Sequence, residues 1–346
     1  MTGQTKYFTN DVHANTDAPE PSENSSMTLA YRTYGDPKNP AVFIPTCYSG
    51  KLDNTLTFLY IPSDDDGTPP VLHKHFVVVC GLLGGSESSS PSNAPAALRG
   101  AKFPEVTYED NLRLQHALCE ALGITKLAAY IGFSMGGQQA YHMATLYPDF
   151  VSHIVVLAGS ARTSWHNRSF LEGPKAALVH SVDFHDGNYE KPATRGTRAF
   201  SRVYATWALS QAWFRQRCWE TLGFPDLEAY LQEVWEGGQG KWDAHDLLCI
   251  MKTWQRGDIS KFGPEEDKGD LAKALGRIKA QVLVMPSRTD FYFPPEDSEE
   301  EVKHLKNGEL KVIESIWGHG AGGGGGTKDD NEFIGMQVQR FLQIQD

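Results

Sequence analysis

The chain has 346 residues and a formal net charge of −11. This acidic balance would repel a phosphate backbone, which argues against a nucleic-acid partner. The five cysteines include no Cys-x-x-Cys pair, so zinc-ribbon and dithiol redox motifs are unsupported. No apolar run reaches ~18 residues. We therefore expect no membrane partner, and a reducing, cytoplasmic setting is the default.

The first part of the chain alternates predicted strands with predicted helices. Residues 1–26 are polar and lack both the basic and the apolar segment of a secretory signal, so we expect a loosely packed lead-in. Strands are predicted over residues 29–34, 41–46 and 76–80. The last of them is a β-branched run, which is typical of a buried parallel strand. An amphipathic helix is predicted over residues 107–122, with Thr107 as its N-cap.

The most informative motif is the pentapeptide Gly-Phe-Ser-Met-Gly at residues 132–136. It follows an apolar segment, 127–131, and precedes a helical pattern, 138–146. Strand, tight turn and helix in this order form a nucleophile elbow, which holds a serine hydroxyl clear of the sheet. The glycines on either side let the neighbouring backbone approach closely. Ser134 is therefore the predicted nucleophile of an acyl transfer that passes through a covalent ester.

After a further predicted strand at 153–158, the pattern changes between residues 160 and 279. Short buried strands give way to helix-like segments, and seven of the eight tryptophans fall here. We expect a helical lid inserted between core strands, with an aromatic-lined cleft beneath it. Most of these tryptophans would pack the lid against the core, and some would face an apolar part of a substrate.

Two predicted strands beyond the lid run into polar residues. The apolar segment 281–286 is followed by Asp290, and the segment 310–315 is followed by His319. A last covering helix is predicted over residues 331–344. Each polar residue thus lies in a loop after a strand, where catalytic groups of an α/β sheet are commonly held.

These residues supply the partners that a nucleophilic serine needs. The order serine, acid, histidine along the chain is the one expected with a nucleophile elbow. We predict that Ser134 attacks the acyl carbon, that His319 takes and returns the proton, and that Asp290 fixes the imidazole tautomer. Asp297 and His304 are the fallback candidates for the acid and the base.

The alternation of strands and helices predicts an α/β domain with a mostly parallel central sheet flanked by helices. The expected parts are the lead-in at 1–26, a first part of the core at 27–159, the lid at 160–279 and a second part of the core at 280–346.

These motifs resemble the homoserine O-acetyltransferase branch of the α/β-hydrolases. The resemblance rests on residues 29–35, 44–50, 78–91, 103–107, 132–148 and 242–246, and on the segments around Asp290 and His319. It covers roughly residues 27–345 and implies the α/β-hydrolase fold with an inserted lid. It also implies an oxyanion hole made by the backbone N–H groups of Tyr48 and Met135. Tyr48 stands where the family has a leucine, and its ring would shape the pocket.

The substrate positions depart from that family. The arginine and the tyrosine that hold homoserine correspond to Arg202 and Leu209, and the aspartate after the catalytic histidine corresponds to Gly320. Without that carboxylate, homoserine or another zwitterionic acceptor is disfavoured. Arg202 could equally be an ion-pair residue of the lid. The glycine run 322–326 reads either as a flexible loop or as room for a bulky substrate, and it could order on binding.

Three functions follow from these observations. The favoured one is a serine hydrolase acting on an ester, lactone or thioester of a small, partly apolar metabolite. The alternative is an acyl-coenzyme-A-dependent O-acyltransferase with an acceptor other than homoserine. The third, a non-catalytic hydrolase-like binding protein, predicts a broken triad and ranks last. No cofactor or metal is expected, because neither dinucleotide-binding nor metal-ligand spacing occurs. The expected partner is a small-molecule acyl substrate, and a homodimer is compatible.

Overall fold

The computed structural model describes residues 3–11, 26–62, 69–85 and 87–343. Within these ranges the strands are β1 Lys6–Asp11, β2 Ser26–Tyr34, β3 Ala41–Pro45, β4 Phe76–Cys80, β5 Leu127–Phe133, β6 Val151–Leu157, β7 Gln281–Met285 and β8 Gly308–Leu310. The α-helices are α1 Tyr108–Ala121, α2 Met135–Leu146, α3 Trp165–Val179, α4 Thr194–Ala208, α5 Gln211–Arg215, α6 Leu227–Tyr230, α7 Ala244–Gln255, α8 Leu271–Gly276, α9 Pro295–Val302 and α10 Lys328–Phe341.

All eight strands form one sheet in the order β1-β2-β4-β3-β5-β6-β7-β8. The first two neighbouring pairs, β1–β2 and β2–β4, are antiparallel, and the remaining pairs are parallel. The predicted mostly parallel α/β sheet is therefore confirmed. Since parallel strands end at the same edge, the loops after β3, β5, β7 and β8 meet there, which is where ligands bind in such sheets.

Apolar side chains cover both faces of the sheet. Val42 and Ile44 of β3 pack on one face with Ile334 of α10, whereas Phe43 packs on the other with Leu118 of α1. All five of these side chains are fully buried. Burying one such apolar side chain stabilises the fold by about 1.5–3 kcal/mol. The continuous apolar runs in β3 and β4 follow from this two-sided burial.

The first strand corrects the expectation of a loosely packed lead-in. Residues Lys6–Asp11 pair antiparallel with β2, and Phe8 lies opposite Leu29. The sequence gives little sign of this strand because it is a polar edge strand, with Tyr7 66% exposed. Polar side chains on an edge strand discourage pairing with other molecules. The rest of the predicted lead-in, residues 12–25, lies outside the described residues.

Two further boundaries differ from the sequence prediction. The strand predicted at 310–315 is wrong in its bounds, since β8 is Gly308–Leu310. After β8 the chain continues alongside β7 without forming a regular strand. The N–H groups of Lys311 and Ile313 donate to the carbonyls of Val284 and Pro286, respectively. The last helix begins earlier than predicted, at Lys328, where Thr327 caps it.

Helices α3 to α8 lie between β6 and β7, the segment for which the sequence predicts a lid. Asp246 of α7 fastens this segment to the loop after β4. Its carboxylate accepts hydrogen bonds from the backbone N–H and the hydroxyl of Ser92, at 2.9 and 2.6 Å. Burial raises the pKa of Asp246 to about 6, against the opposing effect of these bonds. Across the described ranges, no helix is long and apolar enough to cross a membrane.

Candidate active site

Ser134 occupies the sharp turn between β5 and α2. Its backbone has φ 57° and ψ −122°, a conformation that a non-glycine residue adopts only when its surroundings enforce it. The Ser134 N–H donates to the carbonyl of Leu157 at 2.8 Å, which fixes the turn to β6. A Cβ on Gly132 would collide with the carbonyl of Gly136, so the turn requires glycine there. This is the strained elbow that the pentapeptide predicts.

Asp290 and His319 come together at the same edge of the sheet. Asp290 follows β7, and His319 lies in a 3₁₀ turn, Gly318–Gly323, beyond β8. Nδ1 of His319 lies 2.7 Å from Oδ2 of Asp290, and both side chains are buried. Because a carboxylate only accepts, this contact places the proton on Nδ1 and leaves Nε2 as the acceptor.

Neighbouring groups hold both members of this pair. The other carboxylate oxygen, Oδ1 of Asp290, accepts from the backbone N–H groups of Tyr292 and Phe293, at 2.7 and 3.1 Å. Thr289 joins the two loops, since its hydroxyl donates to the carbonyl of Ser315 and accepts from the N–H of Gly318. The acid and the imidazole are thus fixed by backbone and side-chain contacts before any ligand binds.

Aromatic rings enclose the imidazole of His319. Its centroid lies 4.6 Å from that of Phe133, 4.8 Å from that of Tyr292 and 5.6 Å from that of Phe293. Such rings exclude water and restrict the rotation of the imidazole. An electrostatic contact between His319 and its acid is correspondingly less screened than it would be in water.

The two residues predicted to form the oxyanion hole are near Ser134, since Tyr48 lines the same cavity and Met135 directly follows Ser134 in the chain. Met135 is the first residue of α2, so its N–H has no partner within the helix. The loop of Tyr48 follows β3 and is held to α2 by Gln139, whose Nε2 donates to the carbonyl of Thr46 at 3.2 Å. The Tyr48 hydroxyl donates to the carbonyl of Leu247 at 2.9 Å, which ties this loop to the lid.

A cavity of about 520 Å³ lies over these residues. It is lined by Cys47, Tyr48, Ser49, Phe133, Ser134, Tyr204, Ala208, Leu209, Leu222, Tyr230, Val234, Trp235, Gln239, Tyr292, Trp317, His319, Gly320, Gly324, Gly325 and Gly326. None of these lining residues is an aspartate, glutamate, lysine or arginine. Burial raises the pKa of the Cys47 thiol to about 12, so no thiolate competes with the serine.

Comparison with known proteins places the chain in a family. A family model described as alpha/beta hydrolase fold matches residues 50–217. The chain is 34% identical over 285 residues to an ethyl acetate hydrolase of Pseudomonas veronii, with 82% of this chain and 79% of that protein covered. The chain belongs to the α/β-hydrolase family.

Relatives within the α/β-hydrolase family include both hydrolases and acyltransferases. The chain is 31% identical over 326 residues to a homoserine O-succinyltransferase of Neisseria meningitidis serogroup B, with 85% of each covered. The solved structure of the acetyl esterase MekB is similar with a TM-score of 0.89 at 29% identity, covering 99% of this chain and 97% of that one. The resemblance to the homoserine acyltransferase-like branch is thereby confirmed, alongside a likeness to esterases.

Arg202 lies outside the lining of the cavity over Ser134 in this α/β-hydrolase. Its guanidinium pairs with Glu228 and Glu236 of the lid, and Arg202 is absent from the cavity lining. The hydrogen bond to Glu228, and to a smaller extent that to Glu236, raises the pKa of Arg202 above its ordinary value. These contacts agree with the ion-pair alternative, and a contact between Arg202 and a substrate stays a prediction. Leu209 and Gly320, the other two predicted substrate positions, do line the cavity.

The glycine run is packed at its first two residues, whereas residues 324–326 line the cavity. A Cβ on Gly323 would lie 2.5 Å from the ring of Phe133, and one on Gly322 would lie 2.9 Å from Ala158. Gly320 has more room, since its nearest neighbour, the carbonyl oxygen of Gly325, would be 3.4 Å away. The run therefore lets the His319 turn lie directly against Phe133.

The fallback candidates lie elsewhere in the α/β-hydrolase. Asp297 and His304 line a different cavity of about 510 Å³, which shares no lining residue with the one over Ser134. His304 is also engaged with Glu300, at 3.3 Å. Neither residue contacts His319 or Ser134 in the described part of the chain.

Most lid tryptophans pack internally, as the sequence predicts. Trp213 and Trp254 are fully buried, and Trp235 is the lid tryptophan that lines the cavity. Trp317, which follows β8, lines it too. Trp165 departs from the pattern, since it is 82% exposed.

Sequence reasoning missed three residues of this site. Thr289 joins the acid and histidine loops, Tyr292 packs its ring against His319, and Gln239 extends from the lid into the cavity lining. Thr289 and Tyr292 lie within two residues of the predicted acid Asp290, and this closeness in sequence is the signal that could have identified them. Gln239 carries no local motif, because its place depends on how the lid folds over the core.

Proposed function

We propose that this protein is a serine hydrolase that cleaves an ester, lactone or thioester of a small, partly apolar metabolite. Ser134 is the nucleophile, His319 the general base and acid, and Asp290 the residue that orients the imidazole. The observation that carries the proposal is the 2.7 Å contact between His319 and Asp290 beside a cavity that Ser134 also lines. This is the base-and-orienter arrangement that activates a serine.

In the first half of the reaction, Ser134 Oγ attacks the acyl carbon and its proton passes to Nε2 of His319. The oxygen that becomes negative accepts hydrogen bonds from the N–H groups of Tyr48 and Met135. The bond from carbon to the leaving oxygen or sulfur then breaks, and the imidazolium returns its proton to that leaving atom. The acyl group stays on Ser134 as an ester.

In the second half, a water molecule takes the place of the leaving group. The water oxygen attacks the acyl-enzyme carbon while His319 removes a proton from the water. The bond to Ser134 Oγ breaks, the serine recovers its proton from His319, and the carboxylic acid leaves. Asp290 stabilises the imidazolium in both halves without taking the proton itself.

The lining of the cavity supports a neutral substrate. Its side chains are mostly aromatic or apolar, and it contains no acidic residue, lysine or arginine among those described. A zwitterionic acceptor would leave its charges unpaired there, at a high desolvation cost. Gly320 supplies no carboxylate for an ammonium group. The likeness to an ethyl acetate hydrolase points in the same direction.

The second candidate is an acyl-coenzyme-A-dependent transferase with a neutral alcohol as acceptor. The observation in its favour is the likeness to a homoserine O-succinyltransferase over 85% of the chain. Both candidates share the chemistry up to the acyl-enzyme. They differ in whether water or an alcohol resolves it.

The test measures acid release from ethyl acetate by the wild type and by Ser134→Ala. We expect the variant to lose nearly all turnover, because the residual effect of the oxyanion hole and binding is small. Ser160→Ala is the matched control, since Ser160 is equally buried but donates to the carbonyl of Arg162. Equal rates in the wild type and Ser134→Ala would refute the role of Ser134.

Intact-protein mass after exposure to acetyl-coenzyme A separates the two candidates. A stable acetyl adduct on the wild type, absent from Ser134→Ala, together with faster transfer to an added alcohol than to water, would favour the transferase. Ester turnover that depends on Ser134, without such an adduct, would favour the hydrolase over the transferase.

A further inference from the structure

Gln239 differs in character from the other residues around Ser134. It lies at the start of a 3₁₀ turn, Gln239–Lys241, between α6 and α7. The side chain lines the cavity and is 8% exposed. It is the only carboxamide among the described lining residues, which are otherwise mostly aromatic, aliphatic or glycine.

Only one end of this amide is bonded. Nε2 of Gln239 donates to the hydroxyl of Ser49 at 3.0 Å, and Ser49 directly follows the oxyanion-hole residue Tyr48. The amide oxygen Oε1 is buried and has no hydrogen-bond partner among the described residues. A buried acceptor left without a donor costs free energy, so native structures rarely leave one unused.

Two tyrosine hydroxyls of the lining are already engaged, and Trp235 Nε1, which has no partner among the described residues, is a donor only. The Tyr48 hydroxyl donates to the carbonyl of Leu247, and the Tyr292 hydroxyl donates to the carbonyl of Tyr204. Among the described lining residues, Oε1 of Gln239 is therefore a buried acceptor that lacks a donor and can bind a donor group of a substrate. Because the terminal torsion of a glutamine is soft, the amide can turn Oε1 toward a ligand, and the bond from Nε2 to Ser49 then lengthens or breaks.

We propose that Oε1 of Gln239 accepts a hydrogen bond from a hydroxyl group of the substrate. The substrate class is then an ester that carries a second, free hydroxyl, rather than a purely alkyl ester. This inference rests on the proposed function, because it assigns a substituent to the ester cleaved by Ser134. Gln239 is a specificity-determining residue in this assignment and takes no part in proton transfer.

The experiment compares two esters of equal size, 2-hydroxyethyl acetate and propyl acetate. The ratio of their kcat/KM values is measured for the wild type, Gln239→Met and Gln239→Glu. Methionine keeps the length of the side chain but removes the acceptor. We expect Gln239→Met to shift the ratio toward propyl acetate by about tenfold, and Gln239→Glu to retain the preference for the hydroxyl ester.

The control is Gln232→Met, which makes the same substitution at an exposed glutamine outside this cavity, where the amide donates to Glu228. It should leave the ratio unchanged. A ratio that is the same in Gln239→Met as in the wild type overturns the proposal. The proposal is also overturned if the wild type prefers 2-methoxyethyl acetate to 2-hydroxyethyl acetate. The methoxy group can only accept a hydrogen bond, so this preference would show that the amide acts as a donor.

A binding measurement keeps this test separate from the proposed function. Trp235 and Trp317 line the cavity, so ligand binding to Ser134→Ala can be followed by tryptophan fluorescence. Suppose that the wild type turns over neither ester, that Ser134→Ala binds the hydroxyl ester more tightly, and that adding Gln239→Met abolishes this difference in binding. The hydrolase proposal then fails, and the role of Gln239 stands. Equal binding of both esters, with or without turnover, contradicts the role of Gln239.

Discussion

His319 and Asp290 are joined by a 2.7 Å hydrogen bond across 29 residues of sequence. The contact forms because each residue ends a segment that leaves the same edge of the sheet, from the adjacent strands β7 and β8. Thr289 bonds both loops and so fixes their separation. The pair is therefore a property of the sheet and not of the lid.

This relationship predicts the effect of Asp290→Asn. The amide keeps the shape of the carboxylate and can still accept from the N–H groups of Tyr292 and Phe293, so the fold should survive. It would donate toward Nδ1 of His319 and favour the wrong tautomer, and we expect kcat to fall by about 10⁴-fold. Single-turnover kinetics with an aryl ester, alongside circular dichroism, measure the two effects.

Asp297→Asn is the control for this change. Asp297 lies on α9 and lines the other cavity. Its substitution should leave kcat unaltered. A loss in Asp297→Asn comparable to that in Asp290→Asn would refute the assignment of the acid.

The loop after His319 predicts different effects at two glycines, Gly323 of the glycine run and Gly320, which precedes the run. A Cβ at position 323 would press on Phe133, whose ring packs against His319, whereas a Cβ at 320 meets only ordinary contacts. We expect Gly323→Ala to lower the free energy of unfolding by about 1–3 kcal/mol, as overpacking does. Its kcat should fall as well, because the imidazole loses its support.

Gly320→Ala is the matched comparison for that variant. It should stay close to the wild type in thermal unfolding, which differential scanning calorimetry measures. If both alanine variants unfold alike, the packing of the glycine run against Phe133 does not limit stability.

The ion pairs of Arg202 predict that Arg202→Met has little effect on catalysis. The side chain is bonded to Glu228 and Glu236 rather than to the cavity. The pair with Glu228 is exposed and contributes about 0–1 kcal/mol, and the less exposed Glu236 keeps Arg198 as a second partner, so the unfolding midpoint in urea should shift only slightly. The KM for a neutral ester should not change. A tenfold rise in KM would restore Arg202 as a substrate residue.

The parts of the site that are local in sequence could be predicted, and the parts set by distant packing could not. The elbow around Ser134 needs only a strand, two glycines and a helix in succession, and Asp290 and His319 each follow an apolar segment. Gln239 meets Ser49 across 190 residues, so no nearby pattern announces it. The partners of Arg202 likewise depend on how the lid segments fold on one another.

The edge strand β1 shows the same limit for the fold. Its six residues carry no apolar run, and its pairing with β2 spans a segment of chain that has no predicted element. Edge strands need fewer apolar residues than central strands, so periodicity detects them poorly. The central strands, buried on both faces, were predictable from their β-branched composition.

Glu301 predicts how the stability of the protein depends on pH. Its carboxyl is buried on α9, where Oε1 accepts from the N–H of Ala161 at 2.8 Å. Burial, assisted by the charge of Asp297, raises its pKa from 4.5 to about 8. The folded state therefore keeps a proton that the unfolded chain has already lost. Between these two values, the free energy of unfolding should fall as the pH rises.

Glu301→Gln removes this dependence because the amide keeps the shape and the acceptor but cannot ionise. Near pH 4.5 it should be about as stable as the wild type. Near pH 8.5 it should be more stable by a few kcal/mol, at about 1.4 kcal/mol for each unit of the shift. Urea unfolding at pH 4.5, 7 and 8.5 measures the difference. Glu299→Gln, an exposed neighbour on the same helix, is the control and should run parallel to the wild type. Parallel curves for Glu301→Gln and the wild type would show that Glu301 ionises in the folded protein as it does in the unfolded chain.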